Sequence, residues 1–323
     1  MSPDLLGRHD SWTGVRAVVV GFGPAGFAAA DNLNHLGADV VALDDVAETG
    51  PVAEKAELLR VLGAEIRLEP GALDESPAQW WDGVDLVVTT GIETPLVEQA
   101  RRHGVTVWGD VELAWRLRDP AHRTPWLCVT GASGAAETVG MLDSILRAAG
   151  LRSIVVGDAG LPVVEVVMDP EPYDVLAVEL SAAQLRHTDS MSAESAVVLN
   201  TDGYADDLGR IYERVQRACV YNLADPETER LVREADVEEG ARAIGFTLGL
   251  PSVGTVGGVE DLLADRAFIE ERATSAAELG TLDDLASTDP SYVAHALAAA
   301  ALARAHGVSQ AAVRDGLRSL RPE

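Results

Sequence analysis

Val129-Thr130-Gly131-Ala132-Ser133-Gly134-Ala135-Ala136-Glu137-Thr138 follows an apolar run over residues 126–130 and opens a helical pattern that extends to about residue 149. A strand, a glycine turn and a helix in that order present backbone amides to a phosphate group. Two side chains that complete such a loop are missing. The position after Gly134, where phosphate-binding loops carry a lysine, is Ala135, and the next, where a hydroxyl holds magnesium, is Ala136. Glu137 then adds a negative charge in the first turn. The amides around Gly131, Ser133 and Gly134 suit an anion only weakly, so the stretch reads as the scaffold of a phosphate site without its chemistry.

Working outward, a second glycine turn lies near the N-terminus. A β-branched run at 17–20 ends at Gly21-Phe22-Gly23-Pro24-Ala25-Gly26, a helical pattern covers 27–36, and a buried strand pattern at 39–43 leads into Asp44 and Asp45. Gly21, Gly23 and Gly26 fit the dinucleotide fingerprint, and Asp44 stands where a carboxylate grips ribose hydroxyls. Taken alone, this turn suggests an NAD(P)- or flavin-dependent oxidoreductase; the alternative is that the glycines serve packing. Helical patterns at 54–62 and 96–103 alternate with strand patterns at 65–68, 84–89 and 105–108. Such alternation predicts a Rossmann-like, mostly parallel sheet.

The proline-bracketed polar stretch at 119–125 divides the chain into domains 1–124 and 125–323. In the second, strand patterns follow at 153–156, 175–179, 196–199 and 218–222. Residues 244–265 are strand- and turn-rich, and helices are expected at 292–306 and 310–317. The fold class is α/β, a Rossmann-like parallel sheet followed by a second α/β domain built on the degenerate phosphate loop.

Composition excludes several functions. The 323 residues carry 25 Lys+Arg against 52 Asp+Glu, a net charge of -27, so no basic stripe offers itself to nucleic acid. Lys55 is the only lysine, which matters because arginine replaces a phosphate-loop lysine poorly. The apolar runs are too short for a membrane span, and residues 1–10 do not read as a secretory signal. Cys128 and Cys219 sit in apolar contexts that fit neither a disulfide scaffold nor a zinc cluster. A cytoplasmic protein is expected.

Further segments in order carry a resemblance. They are residues 21–31, Trp108-Gly109-Asp110-Val111-Glu112-Leu113-Ala114, Val129-Thr130-Gly131, Val156-Gly157-Asp158-Ala159-Gly160, Val178-Glu179-Leu180-Ser181-Ala182-Ala183-Gln184-Leu185 and Val198-Leu199-Asn200. Over nearly its whole length the chain resembles the Mur ligase family, ATP-dependent amide-forming enzymes of peptidoglycan precursor synthesis. Its D-glutamate-adding branch, which acts on UDP-N-acetylmuramoyl-L-alanine, is the most similar. The resemblance implies that Glu179 matches a magnesium-binding carboxylate, that Ser181 matches a substrate-contacting serine, and that Asp158 replaces a substrate-side asparagine. The alternative for Glu179 is a strand-end carboxylate retained by descent.

The departures fall on the chemistry. The family reads T-G-T-N-G-K-T-T where this chain has Ala135 and Ala136. Its D-H-x-D stretch and metal-site lysine have no counterpart after Asn200, and its H-N-x-x-N signature appears as Ser291-Tyr292-Val293-Ala294-His295. A serine of the first glycine turn is Ala25, and the S-P-G turn is reduced to Thr89-Thr90-Gly91-Ile92, which weakens a UDP-sugar site. The sequence stops at Arg321-Pro322-Glu323, where the family's C-terminal domain begins, so that domain is expected to be absent. ATP and magnesium are implied by the family but not expected to bind tightly. The expectation is therefore a catalytically impaired homologue with a binding or regulatory role, contacting a UDP-N-acetylmuramoyl precursor, another nucleotide sugar or a protein partner. Its rivals are a ligase completed by a partner, a new activity at the old site, and the oxidoreductase.

Overall fold

The structure, a computed structural model, describes residues 3–321. Readings of the chain ends fall partly on Met1, Ser2, Pro322 and Glu323, which lie outside the described residues. The chain forms two compact units. One comprises residues up to 123 together with 161–172 and 183–190; the other comprises 124–160, 173–182 and the chain from 191 onward.

In the first unit, short strands of four to six residues, most of them apolar, alternate with helices that begin at prolines. The strands are β1 (Arg16–Val20), β2 (Asp39–Asp44), β3 (Glu65–Leu68), β4 (Leu86–Thr89) and β5 (Thr106–Gly109), all parallel in the order β3-β2-β1-β4-β5. Between them run α1 (Pro24–His35), α2 (Pro51–Val61) and α3 (Pro95–Arg102), and α4 (Asp110–Arg116) follows β5 directly. Pro24, Pro51 and Pro95 sit where the missing amide hydrogen costs nothing, and the Thr94 hydroxyl caps α3 by accepting the Val97 amide at 3.2 Å. Trp81 is buried in a core with Val18, Val41 and Val87, and Trp80 packs against that core.

The inserted segment 183–190 is fastened by buried polar groups. The Glu112 carboxylate on α4 is fully buried and accepts the Asp189 and Ser190 amides, each at 2.8 Å, the Ser190 hydroxyl at 2.6 Å and the Arg116 guanidinium at 2.6 Å. The Gly109 amide donates to the His187 carbonyl at 2.9 Å. A short helix, Val163–Val167, packs on α1 and α4.

In the second unit, β6 (Trp126–Thr130) leads through the glycine loop into α5 (Ala135–Ala148). The strands β7 (Ser153–Gly157), β8 (Val175–Glu179), β9 (Ser195–Val198), β10 (Ala218–Asn222), β11 (Arg242–Phe246), β12 (Thr255–Val259), β13 (Leu262–Asp265) and β14 (Ala277–Thr281) complete a sheet in the order β14-β13-β12-β11-β10-β9-β6-β8-β7. β13 pairs antiparallel with both its neighbours, and the other pairs are parallel. α6 (Pro226–Glu234), α7 (Pro290–His306) and α8 (Gln310–Arg318) cover it, with caps from Asp225, Asp289 and Ser309.

Ala296 through Ala303 on α7 are all buried in the core that α5 and the sheet share. Small side chains let helix and sheet approach, and larger ones would overpack the layer. Arg304, 10% exposed, pairs with fully buried Asp265 at 2.9 Å, while Asp265 also accepts the Ala267 and Phe268 amides. Among the described residues no helix is long and apolar enough to cross a membrane.

Candidate functional site

The sequence-marked residues of the second unit converge at the C-terminal ends of β6, β7 and β8, where parallel sheets hold ligands. A cavity of about 360 Å³ there is lined by the glycine loop, Asp158, Glu179, Ser181 and Tyr204. Three strand–loop junctions build it. At the first, Asn200 clasps the glycine loop: its Oδ1 accepts the Ser133 amide and its Nδ2 donates to the Ser133 carbonyl, both at 3.0 Å. The Asn200 carbonyl also accepts the Ala132 amide at 3.2 Å. Two amides of the loop are thereby committed within the protein.

At the second junction, Gly157 ends β7 with a φ of +100°, and a Cβ there would lie 1.9 Å from the Glu179 carbonyl oxygen. Only glycine permits that approach, which carries Asp158 over the end of β8. At the third, Glu179 ends β8 with 8% of its surface exposed. One carboxylate oxygen has the Ala159 amide, while Oε2 has no hydrogen-bond partner. Burial and, after it, the neighbouring Asp158 charge push the Glu179 carboxyl above the usual carboxylate range, against the Ala159 hydrogen bond.

Above the loop, α7 brings His295 against Gly134, with ring atoms 2.2 to 3.0 Å from where a Gly134 Cβ would be. His295 Nδ1 pairs with Glu137 Oε2 at 2.6 Å. The face that an intact phosphate loop offers to nucleotide is thus carried here by Ala135, Ala136 and a Glu137–His295 pair. The sequence marked Glu137 and His295 separately, but their separation of 158 residues hid the pairing. Tyr204, on the shortened stretch after Asn200, was not marked as a site residue and lines the cavity.

The first glycine turn is a separate place, in the other unit. A Cβ on Gly26 would lie 1.8 Å from the Gly21 carbonyl oxygen, and the Gly21 Cα faces the Thr90 side chain; Gly23 faces open space. Two of the three glycines therefore have packing reasons. Asp44 Oδ2 accepts the Phe22 amide at 2.6 Å, so this carboxylate braces the turn, and Asp45 accepts the Gly71 and Leu73 amides.

A further polar cluster of the first unit escaped the sequence reading. His187, 4% exposed, meets Arg101 through Nδ1 at 3.1 Å, and its Nε2 lies 3.1 Å from Glu93 Oε1 without hydrogen-bond geometry. Burial depresses the His187 pKa, against the pull of Glu93.

Among the other histidines, His35 and His103 are exposed, whereas His306 is half-buried and paired with Glu194 at 2.7 Å. Trp108 packs edge-on against Trp12 in the first unit, and Trp126 is buried in β6 of the second. Among the described residues no group of three or more His, Cys, Asp and Glu side chains is arranged to hold a metal ion.

A parallel α/β unit followed by a second unit with its glycine loop after the first strand defines a class already seen in solved structures. The UDP-N-acetylmuramate:L-alanyl-gamma-D-glutamyl-meso-diaminopimelate ligase from Neisseria meningitides superposes with a TM-score of 0.58 at 16% identity, over 96% of this chain and 99% of that one. No protein-family model matches the chain. Sequence comparison is more specific. Proteins of Streptomyces avermitilis and Streptomyces coelicolor, both named UDP-N-acetylmuramoylalanine--D-glutamate ligase, are each 48% identical over 97% of this chain and 68% of their own length. The chain belongs to the Mur ligase family, in the branch of those D-glutamate-adding ligases.

Proposed function

We propose that this protein is a Mur ligase homologue that binds ligands without carrying out ATP-dependent amide formation, and that it serves a binding or regulatory role in peptidoglycan-precursor or related biosynthesis. The observation that carries this reading is the β6–α5 loop. An ammonium at position 135 would neutralise phosphate charge, and a hydroxyl at 136 would hold magnesium; both side chains are methyl groups. Glu137 and the His295 ring stand against the same turn, and Asp158 and Glu179 face the cavity without a lysine, arginine or histidine in its lining.

Phosphoryl transfer depends on positioning and charge neutralisation, so a polyphosphate brought beside these carboxylates meets repulsion where it needs stabilisation. The residues present do not fit magnesium-ATP. The names of the relatives make a UDP-N-acetylmuramoyl precursor the first ligand to test, and Ser181 and Asp158 are the residues proposed to meet it.

The test is direct. With UDP-N-acetylmuramoyl-L-alanine, D-glutamate and magnesium-ATP, no ADP release above background is expected, and calorimetry should detect no submicromolar magnesium-ATP binding. Turnover by the purified chain would overturn the reading. Turnover appearing only with cell extract would instead favour a ligase completed by a partner. The oxidoreductase reading predicts micromolar NAD or NADP binding at the first glycine turn, where Asp44 is already engaged by the Phe22 amide.

A further inference from the structure

The buried polar cluster of the first unit sits where the inserted segment 183–190 meets α3. Arg101 on α3 donates to both oxygens of Glu93, at 3.0 and 3.1 Å, and donates again to His187 Nδ1 at 3.1 Å. A guanidinium can only donate, so Nδ1 accepts and the ring hydrogen belongs on Nε2. That nitrogen is enclosed, 3.1 Å from Glu93 Oε1. Four charges act on the ring, Arg101 and Arg186 against Glu93 and Asp189, and they balance only while the imidazole is neutral. With His187 4% exposed, little water is at hand to offset an added charge.

The carboxylates of this seam keep their charge in mild acid. Arg101 holds the Glu93 carboxyl below the usual range, and Glu112, which receives the Asp189 and Ser190 amides, is held below it as well. We propose that the His187 cluster is a proton-operated clamp: the neutral imidazole holds segment 183–190 on the first unit, and mild acid loosens it. A proton taken from water onto Nδ1 lands where Arg101 already points a hydrogen, so the Arg101–His187 bond breaks and two cations face each other. Burial already depresses the His187 pKa, so the closed segment resists the proton and an opened one accepts it. The open state therefore binds more protons, and closure weakens as pH falls through the ordinary histidine range. What loosens is the stretch of chain directly after Ser181 and Ala182.

The experiment is hydrogen exchange of the full chain read by mass spectrometry on peptides spanning residues 183–190, under conditions where exchange follows the opening equilibrium and after correction for the intrinsic rate. One proton taken up on opening, against an ordinary histidine pKa of about 6.5, raises the opening constant by up to about tenfold between about pH 7.5 and about pH 5.5. His187→Gln, which keeps a polar side chain without a titrating proton, should lose that rise. Arg101→Gln removes the opposing cation and leaves the imidazolium to Glu93, so acid should tighten the segment instead of opening it.

A second measurement keeps the test open should either variant fail to fold. In wild-type protein labelled at histidine, the imidazole resonances of His187 should show the Nε2–H tautomer at neutral pH and a titration midpoint below the ordinary histidine value. An Nδ1–H tautomer, or a midpoint at or above that value, would overturn the proposal. So would exchange at residues 183–190 that does not respond to pH, or a rise that survives in His187→Gln. An unchanged acid response in Arg101→Gln would overturn it too, because the clamp depends on that cation.

Discussion

Glu179→Gln should stabilise the protein at neutral pH. The wild-type carboxylate ends β8 at 8% exposure with one oxygen unpartnered and Asp158 as an added repulsion. An unsatisfied buried polar group costs about 1–3 kcal/mol, more when charged, and the Ala159 amide returns part of that. A neutral amide of the same shape removes the charge penalty, so a gain of about 1–2 kcal/mol is expected at pH 7.5. For a unit of this size each kcal/mol moves the midpoint by about 2–4 °C, giving a rise of roughly 2–8 °C in thermal unfolding.

The pH dependence gives the sign an independent check. Glu179 titrates above its ordinary value in the folded protein, so the native state binds more protons than the unfolded chain between the two pKa values. Wild-type stability therefore falls as pH rises through that window, whereas the glutamine variant does not share the loss. The difference should be smallest below the ordinary glutamate pKa and grow as pH rises, to a plateau once the folded-state carboxyl has ionised. A variant less stable than wild type at pH 7.5, or a difference independent of pH, would refute the reasoning, because either result means the carboxylate already has a partner.

Glu112→Gln should act in the opposite sense. Burial works against the Glu112 charge, but the Ser190 hydroxyl and amide, the Asp189 amide and Arg116 hold its carboxyl below the usual range. Its contribution, about 1.5–3 kcal/mol by urea unfolding at pH 7, should fade as pH falls below the ordinary glutamate pKa. Asp265→Ala strands Arg304 in the second core, and a loss of about 3–5 kcal/mol is expected; a loss under 1 kcal/mol would mean that water reaches the pair. Gly26→Ala drives a methyl into the Gly21 carbonyl and should cost about 1–3 kcal/mol in thermal unfolding. Burial raises both thiols, Cys219 to about 12, so neither Cys128 nor Cys219 should react with maleimide at pH 7 until the protein unfolds.

Most of the parallel strands were legible because they are short apolar runs bounded by turn residues. Residues 65–68, 126–130, 175–179 and 218–222 fall where their side chains predict, and other boundaries differ by one to three residues. Helix α1 starts at Pro24 rather than residue 27, because the glycine turn is itself the helix entrance. Helix α4 was not visible, since Asp110 through Trp115 are all buried and no polar face marks a period. β14 and α6 were also missed, one an edge strand and the other short and strongly charged.

The glycine loops, Asp158, Glu179 and Ser181 were readable from local order. What they do together was not. The Glu137–His295 pair, the Asn200 clasp and the orphaned Glu179 oxygen all depend on contacts made far along the chain. The assignment of residues 161–172 and 183–190 to the first unit is of the same kind, because strand and helix patterns carry no address.

Those two insertions impose an order on biosynthesis. While the ribosome has made only the first 123 residues, Glu112 has no Asp189 or Ser190 amide to receive and the Gly109 amide has no His187 carbonyl. The five-stranded sheet can form early, yet its unit stays incomplete until residue 190 has emerged, by which time β6, α5, β7 and β8 of the other unit are already made. Domains usually mature one after another during synthesis. Here the nascent chain must hold an unfinished first unit while the second begins to fold, so slowed translation between residues 124 and 190 prolongs exposure of α4 and its buried carboxylate to the chaperones and proteases that survey emerging chains.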